Sequence, residues 1–397
     1  MTDLPHKEGK ELPQGWRWVA LGDVCDIVTG RTPRRDTPAY WNGTLPWATI
    51  SDLNNETVKD TKEGITEIAT QEANMRLIPK GTLLFSFKLT IGKMAFAGTD
   101  LYTNEAIAAL FPKDSSLDTK FLQFSLKFID PSSGSSHAVK GKTLNRNGLR
   151  EIRIPLPPLP EQKRIAATLT EKLAAVEQAR KASEARLEAA RALPAAYLRE
   201  VFEAKGKTLP QGWRWATLGE VATYINGKAF KPSDWVNNGL RIIRIENLNN
   251  PSADYNHFYG EVEEKYLVCN GNLLVSWSAS LDAFIWHRGD AVLNQHIFKV
   301  IENPEIVNKT YLYFALKEVM QEIRNQTHGA TMKHINKPDF ESFEIPLPPL
   351  PEQKEIAADL TGKFANVEQI KDTATEQSSA IKSLPASLLR QAFSGAL

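Results

Sequence analysis

Two sets of cationic, amide and hydroxyl side chains stand out as the residues able to do chemistry. In the first half they are Arg31, Arg34 and Arg35, then Ser86, Lys88, Thr90 and Lys93, then Lys140, Lys142, Asn145 and Arg146. In the second half they are Lys228 and Lys231, Arg241 and Arg244, Ser276, Ser278 and Ser280, then Lys333, His334, Asn336 and Lys337. Such groups, carried on loops, are the donors that grip phosphates and read the edges of bases. The spacings Ser86-x-Lys88-x-Thr90 and Ser276-x-Ser278-x-Ser280 would put three polar groups on one face of a strand. For each residue the plain alternative is an ordinary solvated surface.

Covalent chemistry is harder to find. A base methyltransferase of the usual kind needs an Asn- or Asp-Pro-Pro-aromatic loop, yet Asp130-Pro131 is followed by Ser132 and Asn303-Pro304 by Glu305. A phosphate loop GxxxxGK[ST] is approached by Gly141-Lys142-Thr143, but Ser136 stands where the first glycine is required. After Pro338-Asp339 come Glu341 and Glu344 without the lysine of a nuclease centre. His328 and His334 have no metal spacing, and Cys25 and Cys269 are too few for a thiolate zinc site or a disulfide framework. The expectation is a non-catalytic chain holding neither cofactor nor metal.

Composition sharpens this. Lys and Arg total 48 against 47 Asp and Glu, a net charge of +1, so phosphate attraction over the whole surface is excluded and only local basic segments can serve. No apolar run is long enough to cross a membrane, and the polar start lacks the apolar core of a signal peptide. A cytoplasmic location is expected.

The candidate residues hang on a duplicated frame. Ile154-Pro-Leu-Pro-Pro-Leu-Pro-Glu-Gln-Lys-Arg-Ile-Ala-Ala-Thr-Leu169 returns as Ile345-Pro-Leu-Pro-Pro-Leu-Pro-Glu-Gln-Lys-Glu-Ile-Ala-Ala-Asp-Leu360. Leu12-Pro-Gln-Gly-Trp-Arg-Trp-Val-Ala-Leu-Gly-Asp-Val24 is echoed by Leu209-Pro-Gln-Gly-Trp-Arg-Trp-Ala-Thr-Leu-Gly-Glu-Val221. Between these landmarks the shared positions are chiefly apolar or Gly and the differing ones chiefly polar, which means a common scaffold with two surfaces. Trp16, Trp18, Trp213 and Trp215 recur identically and read as packing anchors rather than as base-stacking platforms. The chain divides into a globular region 1–153, a connector and helix 154–206, a second globular region 207–344 and a second connector and helix 345–397.

Short apolar runs bounded by Gly, Asn, Asp and Pro predict strands in each globular region, with helices over 118–129 and 309–323. The segments 154–160 and 345–351 are expected to run as stiff polyproline-like connectors, because proline lacks a donor and restricts its neighbour. Pro160 and Pro351 then fall in the first turn of a long helix, where proline is tolerated. Apolar residues advance by three or four along both helices, and Pro194 and Pro385 should break or kink each about 30 residues in. Such a rod is about 45 to 50 Å long. The fold class expected is mixed α+β: two similar domains separated by two long helices packed as an antiparallel coiled coil, in a pseudo-twofold arrangement.

The Leu-Pro-x-Gly-Trp-x-Trp opening with its Leu-Gly-Asp/Glu-Val, the Pro-Leu-Pro-Pro-Leu-Pro-Glu-Gln-Lys connector entering a helix, and the ending Leu389-Arg-Gln-Ala-Phe-Ser-Gly-Ala-Leu397 occur together. In this combination the chain resembles the specificity subunit of type I restriction-modification enzymes over essentially its whole length. The resemblance implies two target-recognition domains, each reading half of a split, asymmetric double-stranded DNA target. It also implies helices that dock two modification subunits, with two restriction and translocation subunits completing the complex. Methylation would be done by a partner using S-adenosylmethionine. Gln162, Lys163, Gln353 and Lys354, at the helix starts, are the docking candidates. Two other readings stay open, an enzyme with unfamiliar motifs and a repeat-built scaffold that binds only protein.

Overall fold

The computed structural model describes residues 12–130, 144–203, 208–327 and 336–397. The chain forms two compact units, one of residues 1–182 with 377–397 and the other of 183–376.

In the first unit the repeated motifs meet. Arg17–Ala20 pairs antiparallel with Arg153–Leu156, setting Trp18 opposite Pro155. The first part of the proline-rich segment is therefore a strand and not a free polyproline connector. A two-stranded ribbon has only edges, so the donor that proline lacks is not needed there. The main sheet has the order Cys25–Thr29, Ile107–Pro112, Leu83–Ser86, Met94–Ala97 and Thr57–Val58. Leu83 and Phe85 enter one apolar cluster and Leu84 another, so this run is buried on both faces of the sheet. A smaller sheet is built around Trp41–Ala48. The predicted helix appears as Thr119–Ile129; the Asp118 side chain accepts from the Phe121 N–H at 2.8 Å and caps it.

The second unit repeats the plan. Arg214–Thr217 pairs with Glu344–Leu347, and Trp215 faces Pro346. Its main sheet runs Ala222–Asn226, Ile297–Glu302, Leu273–Ser276 and Asp282–Ile285, and a second four-stranded sheet contains Leu240–Ile243. The covering helix is Lys309–Thr327. Two glycines at matching places explain part of the common frame. A Cβ on Gly30 would lie 2.1 Å from the Thr103 carbonyl oxygen, and one on Gly227 would lie 2.0 Å from that of Asn294.

The long helices are Leu159–Phe202 and Leu350–Phe393, 44 residues each, with Pro160 and Pro351 in the first turn. Neither ends at its internal proline. Pro194 and Pro385 each forfeit a backbone bond, at a cost of about 3 kcal/mol, but the turns beyond them are held by packing. After Pro194, Leu198 and Phe202 enter the core of the second unit, where Phe202 lies 5.3 Å from the Tyr311 ring. After Pro385, Ala392 and Phe393 enter the core of the first, with Phe393 stacked 4.5 Å from Phe128. Burial recurs at multiples of seven, at Leu169, Ser183 and Ala190 on one helix, with Val176 partly buried between the first two, and at Leu360, Val367 and Ala374 on the other. A period of seven is the mark of a helix with a seam against a partner helix. Within the second unit the helices run antiparallel: the Ser183 hydroxyl donates to the Ala374 carbonyl at 3.4 Å, while Lys363 lies 3.9 Å from Glu200.

Candidate nucleic-acid interface

Strand direction gathers what the sequence scatters. In the first unit Thr29 pairs with Ala108 and Ser86 with Ile107, so the end of one strand, the start of the next and the end of the third share one edge of the sheet. Arg31 leaves the first of these strands, and its N–H donates to Thr103 O at 2.9 Å. The Ser86 turn leaves the third. Leu144 N–H donates to Phe87 O at 3.1 Å and brings Asn145 and Arg146 to the same edge.

The arginines there are held by aromatic rings. The Trp47 indole N–H donates to the Arg31 carbonyl at 3.0 Å, and that of Trp41 to the Arg34 carbonyl at 3.1 Å. The Arg35 guanidinium lies 3.9 Å from the Trp41 ring centre and 5.0 Å from that of Trp47, while also pairing with Glu63. Hydrogen bonding to Arg35 holds the Glu63 carboxyl below its usual range. Arg34 pairs with Asp36 at 2.9 Å with 76% of its side chain exposed. A pair so exposed is weak, so Arg34 can leave its carboxylate at small cost. Arg31 donates to Ala73 O at 3.0 Å.

The serine alternation is not a strand face. Both strands end at the first serine, whose side chain is fully buried. The Ser86 hydroxyl donates to Thr90 O at 2.6 Å and accepts from Lys93 N–H at 2.9 Å. Ser276 does the same with Ser280 O and Asp282 N–H. Each serine therefore closes a turn and offers nothing to a ligand. Leu89 and Ala279, at φ 60° and 57°, take the left-handed position of their turns. Lys88, Thr90 and Lys93 belong to the turn of the first unit, and Ser278 and Ser280 to that of the second. Lys93 donates to Asn54 Oδ1 at 3.1 Å and Ser280 to Asn249 Oδ1 at 3.0 Å, so Leu53-Asn54-Asn55 and its repeat Leu248-Asn249-Asn250 are each tied to the turn of their own unit. Asn145 is a helix cap, accepting from Gly148 N–H at 2.7 Å, and Arg146 donates to Ile27 O at 3.3 Å.

In the second unit Lys228 takes the place of Arg31, its ammonium 5.3 Å from the Phe258 ring and 5.6 Å from that of Phe230. Lys231 is exposed, in the place of Arg34. Arg241 donates to Arg288 O at 2.9 Å and lies 5.3 Å from the Tyr255 ring. Arg244 donates to Asn256 Oδ1 at 3.1 Å and lies 5.8 Å from Trp235. Asn336 caps the helix Lys337–Glu341 through Asp339 N–H, and Lys337 pairs with Glu341 at 3.4 Å. Lys140, Lys142, Lys333 and His334 lie outside the described residues, as do Gly141, Thr143 and His328. Arg288, Asn54, Asn249, Leu89 and the tryptophans Trp41 and Trp47 escaped the sequence reading. The tryptophans carried a signal, since both follow Arg31, Arg34 and Arg35 closely in the sequence.

Among the docking candidates, Gln162 and Gln353 are buried and fully engaged inside the protein. Gln162 Oε1 accepts from Asp118 N–H at 2.9 Å while Nε2 donates to Ser116 O and Pro157 O, each at 2.9 Å. Gln353 clamps Asn308, Ile306 and Pro348 in the same way. They cannot face a partner, whereas Lys163 and Lys354 beside them are exposed. Among the described residues no group of three or more His, Cys, Asp or Glu is placed to hold a metal, and no helix is long and apolar enough to cross a membrane. Burial pushes the Cys25 thiol up to about 12, so it stays a neutral apolar filler.

A family model, the type I restriction modification DNA specificity domain, matches residues 13–185 and again 210–376. The chain belongs to this family. The specificity subunit of the type I restriction enzyme MjaIX from Methanocaldococcus jannaschii is 27% identical over 390 residues, covering 88% of this chain and 87% of that one. The fold is shared with solved specificity structures. The HsdS subunit from Thermoanaerobacter tengcongensis superposes with a TM-score of 0.70 at 23% identity, over 98% of this chain and 99% of that one. A chain from a study of complex assembly and conformational transition in the type I R-M system gives 0.78 at 24% identity, over 98% and 100%. The chain is thus a specificity subunit, the DNA-recognition component of a restriction-modification system and not its catalyst.

Proposed function

We propose that this specificity subunit reads a bipartite, asymmetric double-stranded DNA target, with residues 1–153 and 207–344 each taking one half-site. The observation that carries this reading is the convergence of unlike polar residues at the same edge of two like sheets. Arg31 and Arg34 on one unit stand where Lys228 and Lys231 stand on the other, and the turn bearing Lys88 and Thr90 stands where Ser278 and Ser280 stand. Two like frames with unlike donors read unlike bases. The guanidinium and ammonium groups on aromatic rings supply phosphate grip, and the polar turns beside them supply base-edge contacts.

Residues 154–206 and 345–397 act as connectors and helices that hold the readers apart and dock two modification subunits, with two restriction and translocation subunits completing the assembly. S-adenosylmethionine belongs to the modification subunits. The system works in the cytoplasm, where its DNA is.

Exchanging residues 1–153 for those of another specificity subunit, followed by methylation profiling of DNA from cells that also carry the modification subunit, tests this. One half of the methylated sequence should change and the other persist. An unchanged target, or methyl transfer or cleavage by the purified chain alone, overturns the proposal.

A further inference from the structure

The first unit carries a groove of about 680 Å³ at which the two units differ. It lies between the Leu53 to Glu56 segment, the helix Thr119–Ile129 and the stretch of the long helix from Thr170 to Lys181. Gln123 lines it, only 2% exposed, and its Oε1 is buried with no hydrogen-bond partner. Lys120 at its wall is paired with Glu56. Lys127 lies 5.8 Å from the Phe124 ring, and among the described residues no carboxylate pairs with it. Desolvation holds the Lys127 ammonium below the ordinary lysine pKa. A buried acceptor without a donor is a cost that the isolated protein leaves unmet, and the exposed Lys127 beside it is a cation free to take an anion.

The second unit shows how the same frame settles them. The helix positions Phe-Leu-Gln123-Phe-Ser-Leu-Lys127 are matched there by Tyr-Leu-Tyr313-Phe-Ala-Leu-Lys317. Lys317 bonds Asp282 Oδ1 at 2.9 Å and lies 5.4 Å from the Tyr313 ring. Asp282 occupies the place of Lys93, since the N–H of each donates to the turn-closing serine. Phe364 replaces Leu173 and packs 5.0 Å from Phe314, and Asp372 replaces Lys181. One unit thus carries its own carboxylate and two added rings where the other carries lysines, an amide and a leucine.

We infer that the groove of the first unit seats a carboxylate with an adjacent aromatic ring from a segment of the modification subunit, supplying from outside what Asp282, Tyr313 and Phe364 supply within the second unit. The contact is made once per chain. Nucleic acid is the poorer occupant: a backbone phosphate brings no aromatic filling of the kind that Tyr313 and Phe364 provide in the second unit. The inference rests on the proposed docking of modification subunits and adds the place and chemistry of one contact.

The test uses the full chain with the modification subunit of its own system. A photoreactive benzoyl-phenylalanine replacing the exposed Gln178 at the groove should cross-link to a modification-subunit segment bearing Asp or Glu beside an aromatic residue. The same probe at Gln369, the matching position of the second unit, should not give that product. Lys127→Glu should weaken assembly about tenfold or more, and Q123Y with L173F should abolish the Gln178 cross-link by filling the groove. Thermal unfolding of each variant separates loss of contact from loss of fold. Assembly at normal affinity with no cross-link from position 178, equal cross-links from both positions, or cross-links to DNA or the restriction subunit overturn this inference and leave the docking reading standing. Failure of the unmodified chain to bind the modification subunit at all overturns both.

Discussion

The two units place the same backbone features under different side chains, and the differences fall in two classes. Where a group bonds inside the frame, the copies agree: Gln162 and Gln353 clamp matching backbone atoms, Ser86 and Ser276 close matching turns, and Gly30 and Gly227 admit matching carbonyls. Where a group faces outward at the sheet edge or the groove, they diverge, as with Arg31 against Lys228 or Gln123 against Tyr313. The division separates what builds a specificity unit from what makes it specific. Equal losses on substitution mark the first class and unequal losses the second.

The largest effect is expected at the paired glycines. Gly30→Ala and Gly227→Ala each force a Cβ to about 2 Å from a backbone oxygen, which requires a strand end to move. Each should cost on the order of 4 kcal/mol, read as a lowered midpoint in urea for the unit concerned. A loss in one unit and not the other would break the equivalence. Next come the aromatic residues that close each core from the far end of a long helix. Phe393→Ala removes contacts to Phe128, Phe121 and Trp16, and Phe202→Ala removes that to Tyr311. Each should cost about 3 kcal/mol, and proteolysis should then open the first unit in one variant and the second in the other.

The paired glutamines sharpen the comparison at a smaller scale. Gln162→Leu leaves the Asp118 N–H and the Ser116 and Pro157 carbonyls without their partner, and Gln353→Leu does the same to Asn308, Ile306 and Pro348. Each buried polar group left unmet costs about 1 to 3 kcal/mol, so roughly 3 kcal/mol is expected from either. Equal destabilisation with unchanged affinity of the folded protein for modification subunits marks them as clamps. A loss of affinity without loss of stability would restore them as docking residues.

The frame was legible because its signals are local and repeated. Asp118 before the Phe-Leu-x-Phe run marks a helix start, and two copies of each landmark mark the ends of a domain. What was illegible depends on partners distant in sequence. Gln162 reads as a surface residue of a helix start until residues 116 and 118 close over it. Ser86 continues a period-two pattern, yet its hydroxyl turns back on Thr90 and ends the strand. Pro194 obeys the local rule against proline in a helix, but the burial of Leu198 and Phe202 outweighs it. The site was half visible for the same reason. Basic residues show by type, whereas the rings that aim Arg35 come from a strand several residues on.

The smallest change in stability should accompany the clearest change in DNA binding. Arg34 and Lys231 are exposed at matching positions, Arg34 holding only a solvated pair with Asp36. Replacing either by alanine should leave the midpoint of unfolding almost unchanged. If each meets a phosphate, the slope of log affinity against log salt concentration should fall by about one for each replacement, uniformly across target sequences. Removing both should then lower the slope by about two, because the contacts lie on different units and share no partner. A base-reading arginine behaves differently: its loss costs about 1 to 3 kcal/mol at one position of one half-site and relaxes the sequence there. Binding isotherms of the assembled complex over a salt series, on targets altered singly in each half, distinguish the two. A sequence-selective loss confined to one half-site for Arg34→Ala and a uniform loss for Lys231→Ala would show that matching positions on the two units have taken different tasks.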